Sequence, residues 1–357
     1  MANPGPPHPG ASPAAGHGDK GEEQLIHHLE NEKVPWSAGV WKAIHRTVHD
    51  ETMRVRVGAK FLPHDRVTPE TMSVQADRVT NAVLPGETLS TLTVDEGVTI
   101  RLNEIWTEFA LTPQQVHQTA EAKNPERTTA VTLARRAAQY LALAQDIVIF
   151  QGFDGYSAPF FQQNVRTGGQ KPTDGGLLSQ NFTNQPSGAG PFVSPNAPIQ
   201  VFPLSDGAPG VRYGENTFDK VTQGYAVLMS QGQPGPYALI LDTVPYADLY
   251  AAVGSGSLVV TADRVQPLVQ AGLFGTGTIS PIALSSQPSS PPSSPSGPSY
   301  YGVLVSVGGN TMDLVVGQHA TTIFMQQDIN QLWRFRVLER FALRVIDSSA
   351  IQVLEFF

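Results

Sequence analysis

Two histidines four residues apart, His45 and His49, have the spacing of a metal pair. On a helix, positions i and i+4 share one face, so both imidazoles could meet a single cation. The run His-Arg-Thr-Val-His lacks the glutamate that follows the first histidine in zinc hydrolases and serves as their base. The simpler reading is a polar helix face. His27 and His28 stand among Glu22, Glu23 and Glu30, but a di-iron site draws its ligands from four helices, and this segment supplies one short one at most. Gly275-Thr276-Gly277 lacks the third glycine of a dinucleotide loop, and no G-x-S-x-G elbow exposes a serine. Asp242, His319 and some serine are three common residues without a motif. The absence of cysteine removes thiolate chemistry and disulfides. We therefore expect no catalytic residue, no metal site and no cofactor, and read the chain as something other than an enzyme.

Bulk properties narrow the remaining classes. A chain of 357 residues with 40% hydrophobic content can build two or three domains, or one domain with large insertions. Its formal charge is −8 and no basic run offers a phosphate track, so no nucleic-acid partner is expected, although a local basic patch stays open. No segment has the apolar length of a signal peptide core or a membrane span. The expectation is a soluble cytoplasmic protein with no membrane partner.

The elements that would position any site follow from periodicity. Residues 1–33 are rich in Pro, Gly, Ala and charge and read as a flexible arm. A helix is predicted over 36–57, with Ser37 as N-cap and Trp41, Ile44 and Val48 at helical spacing. Residues 58–98 break into short Thr- and Val-rich pieces around Pro63, Pro69 and Pro85, a hairpin-like excursion with little core of its own. A strand over 99–111 precedes a helix start at Thr112-Pro113. Asn124-Pro125 opens the longest predicted helix, whose stripe is Leu133, Ala137, Leu141, Ala144 and Val148, and Gly152 ends it. Residues 153–214 read as an insertion, too long for a plain loop in a compact domain. A helix capped by Asn216, a buried strand over 235–242 and a short helix over 244–253 follow. The Ser/Pro run 285–299 interrupts strands at 279–284 and 301–307.

The chain closes on LWRFRVLERFALRVIDSSAIQVLEFF. Trp333, Phe335 and Val337 alternate with Arg334, Arg336 and Leu338; Phe341, Leu343 and Val345 continue the period of two, and Ile351 and Val353 resume it after Asp347-Ser348-Ser349. This predicts one C-terminal sheet running to the last residues.

Read as strings, these segments resemble the encapsulin shell proteins, bacterial and archaeal relatives of tailed-phage major capsid proteins. The resemblance rests on Trp41-x-x-Ile44 in the first helix, Ile149-Phe150-Gln151-Gly152 after the long helix, and GPYALIL from Gly235 with Tyr250 downstream. GVLVS from Gly302, MDLVVGQ from Met312 and RVLERFALRV complete the ordered series. Gln145 replaces the first acid of the family's Glu-Asp before Ile-Phe, and His319 stands where an Asp often follows Gly-Gln. The stretch Pro113-Gln114-Gln115 has no tryptophan on which a flavin could stack, so no flavin site is carried over.

The resemblance implies an α+β fold of the Hong Kong 97 type: a P-domain with a spine helix, an A-domain and an extended E-loop. The implied division is an arm at 1–33, an N-terminal helix at 34–57, an E-loop at 58–98 and a P-domain with spine helix at 99–152. An A-domain at 153–310, with insertions at 153–214 and 285–299, is followed by P-domain strands at 311–357. It implies a self-assembling icosahedral homo-oligomer that encloses a cargo enzyme, ferritin-like or peroxidase-type, captured through a targeting peptide. Trp41, Ile44 and Val48, with Ile351 and Val353, would line the groove for that peptide. Gly254, Ser255, Gly256 and Ser257 would line a five-fold pore, wide and without charge. A phage major capsid protein packaging DNA is the alternative within the same fold, and a soluble enzyme or metal-binding protein the alternative outside it.

Overall fold

A computed structural model of the chain describes residues 33–83, 90–168, 175–178, 181–182, 192–193, 196–204, 212–251, 259–279 and 300–357. The first elements are α1 (Ala38–Val55), the short α2 (Gly58–Phe61), β1 (His64–Arg66), β2 (Ser73–Gln75), β3 (Arg78–Val83), β4 (Ser90–Asp95), β5 (Thr99–Arg101) and β6 (Asn103–Leu111). Then come α3 (Pro113–Ala120), the long α4 (Thr129–Gln151), α5 (Pro159–Asn164), β7 (Arg166–Thr167), β8 (Asn181–Phe182), β9 (Phe192–Val193) and β10 (Ile199–Val201). The remainder is α6 (Gly214–Ser230), β11 (Tyr237–Leu241), α7 (Thr243–Leu249), α8 (Thr261–Val265), β12 (Gly272–Gly275), β13 (Tyr300–Ser306), β14 (Met312–Gln327), β15 (Trp333–Val345) and β16 (Ile351–Phe356).

Two five-stranded sheets organise these elements, in the orders β1-β14-β15-β6-β7 and β10-β16-β13-β11-β12. In the first sheet, β15 is central and antiparallel to both β14 and β6. Its odd positions Phe335, Val337, Phe341, Leu343 and Val345 are buried on the side of α1 and α4. Its even positions Arg334, Arg336, Arg340 and Arg344 point the other way, because successive side chains leave opposite faces of a strand. There they meet Asp328, Glu108, Glu104 and the pair Asp313 and Asp65. This face is a ladder of ion pairs, with β2 and β5 laid across it at the small apolar cluster Ala76, Ile100, Val315 and Ala342.

The second sheet is buried on both sides. Along β11, Ala238 and Ile240 belong to the same core as the first sheet, while Tyr237, Leu239 and Leu241 pack into a second core with α6, α7 and α8. Strand β16 divides likewise, Ile351 and Val353 toward the first core and Leu354 and Phe356 toward the second. Phe61 of α2 touches both Phe150 and Phe274, with ring centroids 6.5 and 5.9 Å away, and so joins spine helix to second sheet.

The structure corrects several sequence expectations. The C-terminal run is not one sheet: the 3-10 turn at Ser348–Ala350 carries the chain from β15 in the first sheet to β16 in the second. Asp347 makes that switch by accepting from the Ser349 backbone N–H and hydroxyl at 2.9 and 2.6 Å. Asn124 caps only the 3-10 turn Pro125–Arg127, and α4 starts later, where the Thr128 hydroxyl accepts from Val131 N–H. The C-terminal half of α4 is buried on all sides, so a single stripe describes only its first turns, where Leu133 is half-buried. Asn216 sits inside α6 and donates to the Phe202 carbonyl; the first turn of α6 is capped instead by Asp248, which accepts from Tyr213 and Gly214 N–H at 2.7 Å each. Helix α7 ends at Leu249, four residues short of the expected 253. Ile279 is buried but lies outside any strand, and 280–284 lie outside the described residues.

Other expectations stand. Ser37 caps α1 by accepting from Val40 N–H. Gly152 ends α4 with φ +59°, where a Cβ would come within 2.1 Å of the Gly176 nitrogen. The excursion after α2 contains the antiparallel pair β3–β4, running from Arg78↔Asp95 to Val83↔Ser90.

Candidate functional site

Helix α1 carries most of the residues singled out from sequence. Val40, Trp41, Ile44 and Val48 recur at helical spacing and are at most 3% exposed, packed toward α4 and the first sheet. An aromatic cluster around Phe335 fixes the N-terminal end: Trp36 stacks on it at 4.9 Å, Phe109 at 5.2 Å, and Trp41 meets Trp36 edge-on at 5.0 Å. The Trp36 indole N–H donates to the Val116 carbonyl at 3.0 Å, tying the segment before α1 to α3. The Trp41 indole nitrogen is buried with no hydrogen-bond partner.

The expected peptide groove is therefore not open at these positions. Trp41, Ile44 and Val48 are fully buried, and Ile351 and Val353 on β16 are 2% and 5% exposed, all within the first core. The physical reason is that α1 lies flat against the spine helix and β14, so its apolar stripe is already satisfied. Gly254, Ser255, Gly256 and Ser257, the expected pore residues, lie outside the described residues.

His45 stacks over the Trp41 ring at 5.8 Å and His49 is exposed one turn later. Among the described residues, no group of three or more His, Asp or Glu side chains is placed to hold a metal. His319, on β14, has its pKa pushed down to about 4 by burial and by the neighbouring Arg66, Arg56, His49 and His64.

What the sequence reading missed is a buried polar network beneath α1. Glu339 occupies an odd, core-facing position of β15 and is fully buried. Arg56, just past the end of α1, donates from Nη1 to Glu339 Oε1 at 3.1 Å and from Nε to the Thr52 carbonyl at 3.2 Å. Gln145 Nε2 donates to the same Glu339 oxygen at 3.1 Å. Next to it, Asp146 accepts from the Val57 and Gly58 backbone N–H groups at 2.8 Å each, capping α2 from within the spine helix. Burial raises the Asp146 pKa to about 7, against the opposing pull of those two backbone bonds and of Arg56 and Lys60. Burial also raises Glu339, with Arg56 and Gln145 opposing. The signal was present in RVLERF, where a glutamate falls on the apolar register of an alternating strand.

The described surface also carries a cleft of 590 Å³ between β10 and α6, where the amides of Gln200, Gln223 and Gln352 stand among apolar residues such as Ile199, Phe202 and Val227. It contains none of the residues expected to act.

No protein-family model matches the chain. Among solved structures, a virus-like particle from Pyrococcus furiosus is similar over 88% of this chain and 99% of its own, with TM-score 0.54 at 14% identity. The capsid of Myoviridae phage XM1 is similar over 85% of this chain and 92% of its own, with TM-score 0.50 at 13% identity. A weaker likeness, TM-score 0.47 at 12% identity over 84% of this chain and 86% of that one, is to the holo-SrpI encapsulin complex from Synechococcus elongatus. Identities this low speak for fold and not for shared activity. With its central antiparallel sheet, long spine helix, second sheet and protruding hairpin, the chain has the Hong Kong 97-type capsid fold.

Proposed function

We propose that the chain is the shell protomer of an encapsulin-type compartment, a closed icosahedral assembly in the cytoplasm that encloses a cargo enzyme and does no chemistry itself. The observation that carries the assembly reading is the likeness to a virus-like particle over 99% of that particle's chain. A second observation supports it from within the molecule. On β4, Leu92 and Val94 share one face and are 72% and 53% exposed, and Met72, just before β2 of the same excursion, is 65% exposed. An apolar stripe on a two-stranded excursion has no core of its own to enter, and a neighbouring protomer would cover it. On this reading 58–98 is the E-loop, reaching across to that neighbour.

Cargo capture follows from the ordered sequence motifs, and enclosure of a ferritin-like or peroxidase-type enzyme is part of the same proposal. With Trp41, Ile44 and Val48 buried, a targeting peptide would reach them only if α1 lifts, so its resting contacts would lie on the surface beside them. Gly254, Ser255, Gly256 and Ser257 are proposed to line a pore. The second reading, a phage major capsid protein packaging DNA, is favoured by the likeness to the XM1 capsid.

Electron microscopy of particles purified from the native host, with nuclease-treated contents resolved by mass spectrometry, tests both readings. Closed particles of roughly 60 subunits or a multiple that contain an enzyme support the compartment. Particles filled with DNA favour the capsid, and a chain that stays monomeric or dimeric across salt and pH ends both.

A further inference from the structure

The charge of this molecule is unevenly divided. The helical layer over the first sheet, residues 33–61 and 112–151, holds ten Lys and Arg against five Asp and Glu, while the chain as a whole is −8. Of these, Glu51, Arg56 and Asp146 are buried, so the excess of positive charge is on the surface. Lys42, Arg46 and Arg54 project from α1, and Arg135 and Arg136 from α4, all exposed. The two helices lie side by side on the sheet: Gln139 of α4 donates to Glu51 of α1 at 2.6 Å, and the Arg54 and Arg135 charges together hold the Glu51 carboxyl below its usual range. On this face Arg46 pairs with Asp50 at 3.6 Å and Arg54 with Glu51 at 2.6 Å, so Lys42, Arg135 and Arg136 supply the excess; on the opposite face of the same sheet the ladder matches each arginine of β15 with a carboxylate.

We propose that this cationic face of α1 and α4 is the docking surface for the acidic stretch 19–32 of the same polypeptide. That stretch carries Asp19, Glu22, Glu23, Glu30 and Glu32 against a single Lys20, a net of −4. It ends one residue before Lys33, and the chain is then fastened beside the cationic face by Val34 and Trp36, 2% and 4% exposed. Fourteen residues reach at most about 48 Å, whereas α1, with 18 residues, is about 27 Å long. Every cation named on α1 is thus within reach of the acids. A tether this short keeps the local concentration of acidic side chains high, which makes weak surface pairs count collectively. Leu25, Ile26 and Leu29 lie among the acids, and Met53, 42% exposed on α1, offers them an apolar contact between the charges. The inference goes beyond the shell reading, since a docked stretch would screen this face whatever the particle encloses.

The test uses the full chain and the acetylation rate of Lys42 by an amine-reactive ester, read by mass spectrometry, with Lys220 as internal reference. Neutralising the stretch (Asp19→Asn with Glu22→Gln, Glu23→Gln, Glu30→Gln and Glu32→Gln) should raise Lys42 labelling several-fold and leave Lys220 unchanged. Roughly 1 M salt, which shortens the screening length to about 3 Å, should raise Lys42 labelling of the native chain to the same level. Reversing the face with Arg46→Glu and Arg135→Glu should do likewise, without altering the stretch. Equal Lys42 rates in native and neutralised chains at low salt overturn the proposal. So does protection that survives neutralisation but is lost on nuclease treatment, which would identify nucleic acid as the occupant.

Discussion

The two sheets of this fold solve the burial problem differently. The first is dry on one face and wet on the other; the second is dry on both. On β15 of the first sheet, Phe335 is fully buried while Arg336 next to it lies over the Trp106 ring at 4.3 Å and pairs with Glu108 at 2.9 Å. On β11 of the second sheet, the neighbours Leu239 and Ile240 are both fully buried, in different cores. The lesson is that the second sheet acts as a partition shared by two cores, so damage to it reaches both halves of the protomer. The first sheet can change its wet face at little cost in stability, leaving that face free to vary in its contacts.

The largest expected effect comes from breaking the buried ionic contact between Arg56 and Glu339 on the dry side of the first sheet. Arg56→Ala leaves Glu339 buried without its cation and should cost about 3–5 kcal/mol. Replacing both residues by apolar ones, Arg56→Met with Glu339→Leu, should restore most of that loss. Chemical denaturation of single and double variants decides it, and a double variant no better than Arg56→Ala would show that the network does more than neutralise a charge.

Asp146 extends the same contrast to pH. Its pKa is raised to about 7 in the fold by burial, from an ordinary 3.8. Below about pH 7 the protonated carboxyl is therefore the favoured folded form. The stability this group contributes is complete below about pH 4 and is lost as pH rises through about 7, a swing on the order of 4 kcal/mol. Arg56 and Lys60 are the charges that oppose the shift, and neither titrates in this window. Asp146→Asn should flatten the stability profile between pH 4 and 7, measured by urea unfolding across that range. An unchanged slope would place the titrating group elsewhere.

Truncation sharpens the comparison directly. Leu239→Ala and Ile240→Ala should each cost about 2–5 kcal/mol although they face opposite ways, whereas on β15 Phe335→Ala should cost about 3–5 kcal/mol and Arg336→Ala less than about 1 kcal/mol. If one of the β11 pair proves cheap, the second sheet has a wet face and the partition fails.

This contrast also explains what could be read in the sequence. One-sided burial writes itself as alternation, and the Trp333–Val345 register was legible from its apolar positions although Glu339 among them was missed; the helix carrying Trp41, Ile44 and Val48 was legible too. Two-sided burial leaves a continuous apolar run, as in Tyr237–Leu241, which announces a strand but not its two cores. In β16, Ile351 and Val353 resumed the alternation of β15 so smoothly that the change of sheet at Ser348–Ala350 was invisible; hydrogen-bond partners, not side-chain type, decide sheet membership. For the candidate site, spacing showed that Trp41, Ile44 and Val48 share a face but not whether that face meets solvent or the spine helix. Neither Glu339 with Arg56 nor Asp146 with the α2 backbone could be paired from sequence, since the partners are 283 and 88–89 residues apart.

The smallest expected effect lies on the wet face itself. Arg340 Nη2 sits 2.7 Å from Glu104 Oε2, with side chains 17% and 31% exposed, and Arg340 Nη1 donates to the Pro69 carbonyl at 2.6 Å. The ion pair crosses from β15 to β6, and the second bond holds the start of the excursion against the ladder. Water reaches both partners, so their attraction is weakened and the entropy of ordering two long side chains offsets much of the rest. A double-mutant cycle of Arg340→Ala with Glu104→Ala should give a coupling below about 1 kcal/mol that shrinks further in high salt. The carbonyl bond is not part of that coupling, so Arg340→Ala alone should exceed Glu104→Ala, and the excess should persist in salt. A coupling of several kcal/mol, insensitive to salt, would mean that the ladder is dry, and the difference between the two sheets would then be one of degree.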